Sequence, residues 1–150
     1  MAGILVSLIN PVKNKVAHLS NYKSLAPKLV LGSSSQYRAE LLKRLRLPFS
    51  TESPNIDESP FPNEVASDTA LRLATQKAIK VSENYSNAFV IGCDQVIECL
   101  GKRLDKPLTI ERAREQLNWA SGNTVKLYSA VCLVNTKSKK IYSDVIVAEI

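Results

Sequence analysis

The sequence has 150 residues, 45% hydrophobic and 23% charged, which is the balance of one globular domain and excludes a disordered or fibrous chain. No apolar run reaches the roughly 18 residues that cross a bilayer. The early stretch Ile4–Ile9 is too short and has no basic residue before it, unlike a secretory signal, so the expected location is the cytoplasm and no membrane partner is expected. The net charge of +6 is uneven, because Lys13, Lys15, Lys23, Lys28 and Arg38 all precede the first acid, Glu40. These positives neither run along a helix face nor interleave with aromatics, so nucleic acid is not an expected partner.

Residues 1–27 show no clear period, contain Asn10-Pro11 and end at Pro27, so they read as a flexible extension. From residue 28 the pattern sharpens. Leu29-Val30-Leu31 is a short strand running into Gly32-Ser33-Ser34-Ser35, and a helix follows with Tyr37, Leu41, Leu42 and Leu45 at helical spacing. Pro48 closes it, and Phe49-Ser50-Thr51 opens a second strand. Residues 53–66, with three prolines and several acids, form a loop. Ser67-Asp68 is expected to cap a long helix to about Tyr85, with Ala70, Leu73, Ala74, Ala78 and Val81 on its buried stripe.

Ala88–Cys93 is a continuous apolar run of buried-strand length that breaks at Asp94. A hairpin is expected over Val96–Leu104, turning at Gly101-Lys102. Thr109 begins a third helix, with Ile110, Ala113, Leu117 and Ala120 facing inward and Ser121-Gly122-Asn123 as its stop. Strands over Val125–Val134 and Ile141–Ile150 follow, giving an α/β domain with a mixed sheet. The apolar ending at Ile150 reads as an unpaired edge from which a C-terminal part is missing.

Several features point to phosphate and metal chemistry. Gly32–Arg38 lies between a strand and a helix, where free backbone N–H groups and the helix dipole suit an anion, and Arg38 would fork onto a phosphate. A plain N-cap by Ser34 or Ser35 accounts for the same serines. Asp57-Glu58 in its proline-flanked loop suits a hard cation, or is merely solvated. Asp94 sits where α/β sheets place their sites and would serve as general base or metal ligand, unless it only turns the strand. Lys77, on the border of a buried stripe, is expected to snorkel, and Lys106 precedes Pro107 in a turn. Cys93, Cys99 and Cys132 form no CxxC pair and read as reduced structural thiols. With a single histidine, His18, a metal would be held by oxygens, which favours Mg²⁺ or Mn²⁺.

In this order and spacing, Leu31-Gly32-Ser33-Ser34-Ser35 with Arg38, Asp57-Glu58, Gln76-Lys77-Ala78, Gly92-Cys93-Asp94, Lys106-Pro107 and Ser121-Gly122 resemble the Maf family of nucleotide pyrophosphatases over about residues 28–150. The resemblance implies a Maf/ITPase-like mixed sheet flanked by helices, a cleft between two lobes and a divalent cation. It implies cleavage of a nucleoside triphosphate to monophosphate and diphosphate. It also implies Asp94 as proton acceptor, Ser33, Arg38, Lys77 and Lys106 at the phosphates, and Glu58 with Asp94 as metal partners. Asp94-Gln95-Val96 resembles the branch acting on 7-methyl-GTP, with Tyr37 and Gln95 expected to set specificity; Gln36 and Ala39 depart from the commoner proline and second arginine. The alternatives are a dTTP/UTP pyrophosphatase, or a nucleotide-binding regulator of cell division without turnover. Self-association into a homodimer is left open.

Overall fold

Leu29, Val30 and Leu31 extend into the middle of a sheet because both faces there are covered by apolar side chains. The computed structural model describes residues 26–150, so nearly all of the expected extension, with Lys13, Lys15, His18 and Lys23, lies outside the described residues. The elements are β1 (Lys28–Gly32), α1 (Gln36–Lys43), β2 (Ser50–Glu52), α2 (Ala66–Ser82), β3 (Ala88–Cys99), β4 (Lys102–Arg103), α3 (Ile110–Ala120), β5 (Val125–Asn135) and β6 (Lys140–Glu149). The sheet runs β2-β1-β3-β5-β6, with β4 paired to β3. Its β2-β1-β3 portion is parallel and the rest antiparallel, as the expected mixed α/β sheet requires.

The two faces carry different cores. Leu31, Ile91, Cys93, Val131 and Leu133 pack with Leu42 of α1 on one face. On the other, Val30, Val90, Ala130, Cys132 and Val134 pack with Ala70, Ala74, Ala78 and Val81 of α2. The alanine row makes α2 thin on this side, and Gly92 removes the last obstacle. A Cβ built on Gly92 would lie 2.1 Å from the Ala74 carbonyl oxygen and 2.5 Å from the Ala78 nitrogen. Helix backbone therefore lies directly against strand backbone at Gly92.

Four expectations are corrected. β3 does not stop at Asp94 but continues to Cys99, because β5 pairs with it along its whole length. The β3–β4 turn sits one residue earlier than expected, at Leu100 and Gly101, both with positive φ (52° and 75°). Val65, not Ser67-Asp68, stands at the N-cap of α2, without a side-chain cap bond. Ser67 and Asp68 lie inside the first turn, and Glu64 accepts from the Thr69 hydroxyl at 2.7 Å. Finally, α3 buries none of its residues: Ile110 and Leu117 are 68% and 70% exposed. Periodicity identifies a common face, but α1 and α2 already occupy the sheet. What ties α3 to the β3–β4 hairpin is Trp119, whose Nε1 donates to the Cys99 carbonyl at 3.2 Å while Lys102 lies over its ring.

The loop 53–65 is bound to α2 by charge. Arg72 donates from Nε and Nη2 to the two Glu64 carboxylate oxygens at 2.6 and 2.8 Å, and from Nη2 to the Ser59 carbonyl at 3.1 Å. Its guanidinium also lies 4.0 Å from the centre of the Phe61 ring. Arg103 of β4 donates to the Glu64 carbonyl at 2.9 Å and to the Thr69 hydroxyl. The Arg72 hydrogen bonds are the main cause holding the Glu64 carboxyl at about 2, below its usual 4.5.

Two predictions follow from this packing. Gly92→Ala forces α2 off the sheet, and overpacking of about 1–3 kcal/mol or more should lower Tm by at least about 5 °C in thermal denaturation. Gly32→Ala, whose methyl would meet Lys77 and Val81 at 3.3 Å, should cost less. An unchanged Tm for Gly92→Ala would contradict the close approach. For Glu64, the unfolded carboxyl binds its proton near 4.5 and the folded one only near 2. The stabilisation is thus complete above about pH 4.5 and disappears as pH falls toward 2. The Tm gap between the unmodified protein and Glu64→Gln should close across that window; parallel curves would show that the ion pair does not set the pH dependence.

Candidate active site

The site forms where β1 ends and β3 does not. Gly32 pairs with Gly92, and β4 rejoins that side of β3 only at Glu98. Between them β3 is open on one side, and Asp94 lies in this interval with its side chain toward α2. It is buried, 6% exposed, yet close to the strand ends where chain segments diverge.

Lys77 reaches the same point from α2. Its Nζ donates to Asp94 Oδ1 at 2.6 Å and lies 3.0 Å from Glu58 Oε1. Lys77 therefore does not snorkel, contrary to the sequence expectation; it is 4% exposed. The reason is the close seating of α2 on Gly92, one residue along the helix from Lys77 at Ala78, which aims the lysine stem along the strand toward Asp94. A buried ammonium is tolerated because two carboxylates engage it. One formal positive charge faces two negative ones, so the cluster still favours a further cation. Glu58 is the exposed member, at 57% for its side chain. Asp57 is turned to local use, its Oδ1 accepting from the Ser59 N–H at 2.9 Å.

The serine turn is next to this cluster in the fold. Ser33, the first residue past β1, is buried, and its Oγ accepts from the Ser35 N–H at 3.1 Å. Ser35 is the N-cap of α1, with its side chain accepting from the Arg38 N–H and its carbonyl from the Ala39 N–H. This leaves the N–H groups of Gln36 and Tyr37 in the first turn for a ligand. Arg38 is half-buried and near enough to Cys93 to be the leading influence opposing burial, which pushes the Cys93 thiol up to about 11.

The remaining expected residues are dispersed. Gln95 follows Asp94 in an extended strand and so projects to the opposite face, the one covered by α1. Its Nε2 donates to Ser129 Oγ of β5 at 2.7 Å. Tyr37 is 70% exposed on α1, outside the apolar stripe in which its spacing placed it. Lys106 is exposed between β4 and α3, and no hydrogen bond or ion pair joins it to Asp94 or Glu58 among the described residues. Two hollows of the surface lie elsewhere. One of about 450 Å³ is lined by Glu98, Gly101 and Asn123, and another of about 350 Å³ by Arg103, Arg112 and Trp119. Charge and burial, rather than hollow volume, single out the Lys77 cluster. Among the described residues no group of three or more His, Cys, Asp or Glu side chains forms a metal cage.

Sequence reasoning missed Arg72, Glu64, Arg103 and Ser129. Only the Glu64–Arg72 pair left any trace, an acid just before a helix and a base on it, and nothing in its spacing marks the loop it ties down.

A family model described as Maf-like protein matches residues 28–150. Over 120 residues the chain is 52% identical to a 7-methyl-GTP pyrophosphatase of Methylobacillus flagellatus, covering 80% of this chain and 62% of that protein. A protein of the same name from Nitrosococcus oceani is 54% identical over 110 residues, covering 73% of this chain and 55% of its own length. One from Ralstonia nicotianae is 49% identical over 120 residues, with coverages of 80% and 62%. The chain thus spans less than two thirds of these relatives. The solved structure of the Staphylococcus aureus Ham1 protein aligns with a TM-score of 0.51 at 13% identity, over 82% of this chain and 71% of that one, which shows a shared fold. The family-model match, over residues 28–150, places the chain in the Maf family.

Proposed function

We propose that this chain carries the chemistry of a nucleoside triphosphate pyrophosphatase that removes diphosphate from a modified nucleotide, 7-methyl-GTP, in the cytoplasm. The observation that carries the reading is the buried Lys77 held between Asp94 and Glu58 at the open end of β1, beside the serine turn. The names of the similar proteins support the substrate. No helix among the described residues is long and apolar enough to cross a membrane.

In the reaction, the oxygen of water attacks the α-phosphorus while the bond from that phosphorus to the bridging oxygen breaks. Diphosphate leaves with the electron pair, and the water's proton passes to Asp94. Lys77 donates to Oδ1 of Asp94 and so orients the carboxylate that takes the proton. Arg38 and the first-turn N–H groups of α1 hold phosphate oxygens as charge develops on them. Ser33 keeps the turn in shape through Ser35.

A divalent cation fits the donor set. Lys77 engages Oδ1 of Asp94 and Oε1 of Glu58, so the second oxygen of each carboxylate, one buried and one open to solvent, is offered to a cation. Mg²⁺ or Mn²⁺ is commonly bound by one or two carboxylates together with substrate phosphates and waters. Glu58 and Asp94 would hold it; bound there, it supplies charge neutralisation for the phosphates. Activity should disappear with a chelator.

Gln95 contributes selectivity. With its amide fixed on Ser129, it presents a defined hydrogen-bonding edge on the α1 face, and a fixed polar group discriminates between bases more than it accelerates hydrolysis. Tyr37, exposed on α1, offers a ring for stacking, most favourably on a cationic methylated purine.

Asp94→Asn keeps the side-chain volume and should lower diphosphate release by on the order of a hundredfold or more. A folded Asp94→Asn variant with near-normal rates would overturn the assignment. For selectivity, kcat/KM should favour 7-methyl-GTP over dTTP and UTP, and Gln95→Thr should narrow the preference. If the unmodified protein prefers dTTP or UTP, the pyrophosphatase chemistry stands but the substrate is wrong. Nucleotide binding without any diphosphate release would instead favour a regulator.

A further inference from the structure

Glu58 has an unusual position for a site residue. It lies in a loop without regular structure, is half open to solvent, and touches the cluster through its ion pair with Lys77. The loop's three prolines limit its unfolded freedom, and Asn55 and Asn63 turn it with left-handed backbone (φ 36° and 59°). None of these features refers Glu58 to the helix that carries Lys77.

Arg72 does. It is on α2, five residues before Lys77, and it binds the carbonyl of Ser59, the residue that follows Glu58. Its fork takes both oxygens of Glu64 at the loop's far end, Nη1 reaches Gln76 Oε1 at 3.2 Å, and its plane covers Phe61 between them. Glu64 in turn accepts from the Phe61 N–H at 3.2 Å and the Thr69 hydroxyl at 2.7 Å. Loop and lysine are thus measured from one rigid helix. Only a planar guanidinium satisfies both Glu64 oxygens and the Ser59 carbonyl together.

We propose that Arg72, clamped to Glu64, is a positioning residue that sets Glu58 against Lys77 and so prepares the two-carboxylate cluster for its cation. The proposal rests on the pyrophosphatase reading for its effect on turnover, but the clamp itself does not.

The test compares Arg72→Lys, Glu58→Gln and the double variant with the unmodified chain. In Arg72→Lys the Mg²⁺ concentration giving half-maximal diphosphate release should rise on the order of tenfold, with the nucleotide KM changed by less than about twofold. Because both residues act through one contact, the double variant should be no worse than Glu58→Gln alone. Multiplying effects, or a change in Tm with no change in Mg²⁺ dependence, would overturn the proposal. A second measurement needs no turnover: amide hydrogen exchange at residues 57–61 should accelerate in Arg72→Lys, while α2 and β3 remain protected. Unchanged exchange there would overturn the clamp. If Arg72→Lys does not fold, Glu64→Gln replaces it with the same expected outcomes. Should the unmodified chain release no diphosphate, the functional reading fails and the exchange result still decides the clamp.

Discussion

Gly92 has no space for a side chain, and the placement of the candidate site depends on that fact. With α2 backbone seated against β3 backbone, the alanine row of Ala70, Ala74 and Ala78 becomes the contact surface, and the residue between two of those alanines is carried to the sheet's open edge. That residue is Lys77. Move α2 outward by the width of a methyl group and its ammonium no longer lies 2.6 Å from Asp94. A small-residue contact that looks purely structural thus determines which charges meet.

The electrostatics follow from that placement. Taking an ammonium out of water is unfavourable by several kcal/mol, and attraction to one carboxylate roughly offsets it. Two carboxylates give a surplus of negative charge instead, one of them on a loop that solvent and phosphate can reach. The sheet meanwhile separates two of the candidate residues. Asp94 and Gln95 are neighbours in sequence and face opposite sides of β3, Asp94 toward α2 and Gln95 toward α1.

Much of this was legible in the sequence, for identifiable reasons. The strands of the core and the two packed helices announced themselves through period and punctuation, and Ser35 does cap α1. Asp94 was marked by the abrupt end of an apolar run, although the strand itself goes on, since pairing with β5 outlasts the hydrophobic signal. The exposure of α3 was not legible, because an apolar stripe says nothing about whether a surface is there to receive it. Nor was the burial of Lys77, whose place on a stripe border is compatible with snorkelling until Gly92 fixes the helix. Arg72 and Glu64 left almost no signal, because their meaning lies in a loop whose path the sequence does not specify. The separation of Gln95 from Asp94 follows from strand geometry alone, once β3 is known to continue past Asp94.

The proposed role of the Lys77–Asp94–Glu58 cluster is to direct water onto the α-phosphorus of a nucleoside triphosphate. Hydrolysis of 7-methyl-GTP in water enriched in oxygen-18, with the products analysed by mass spectrometry, tests it most directly. One heavy oxygen is expected in the nucleoside monophosphate and none in the diphosphate, with incorporation suppressed in Asp94→Asn. Label in the diphosphate, label in free phosphate, or undiminished incorporation in the folded variant would contradict it.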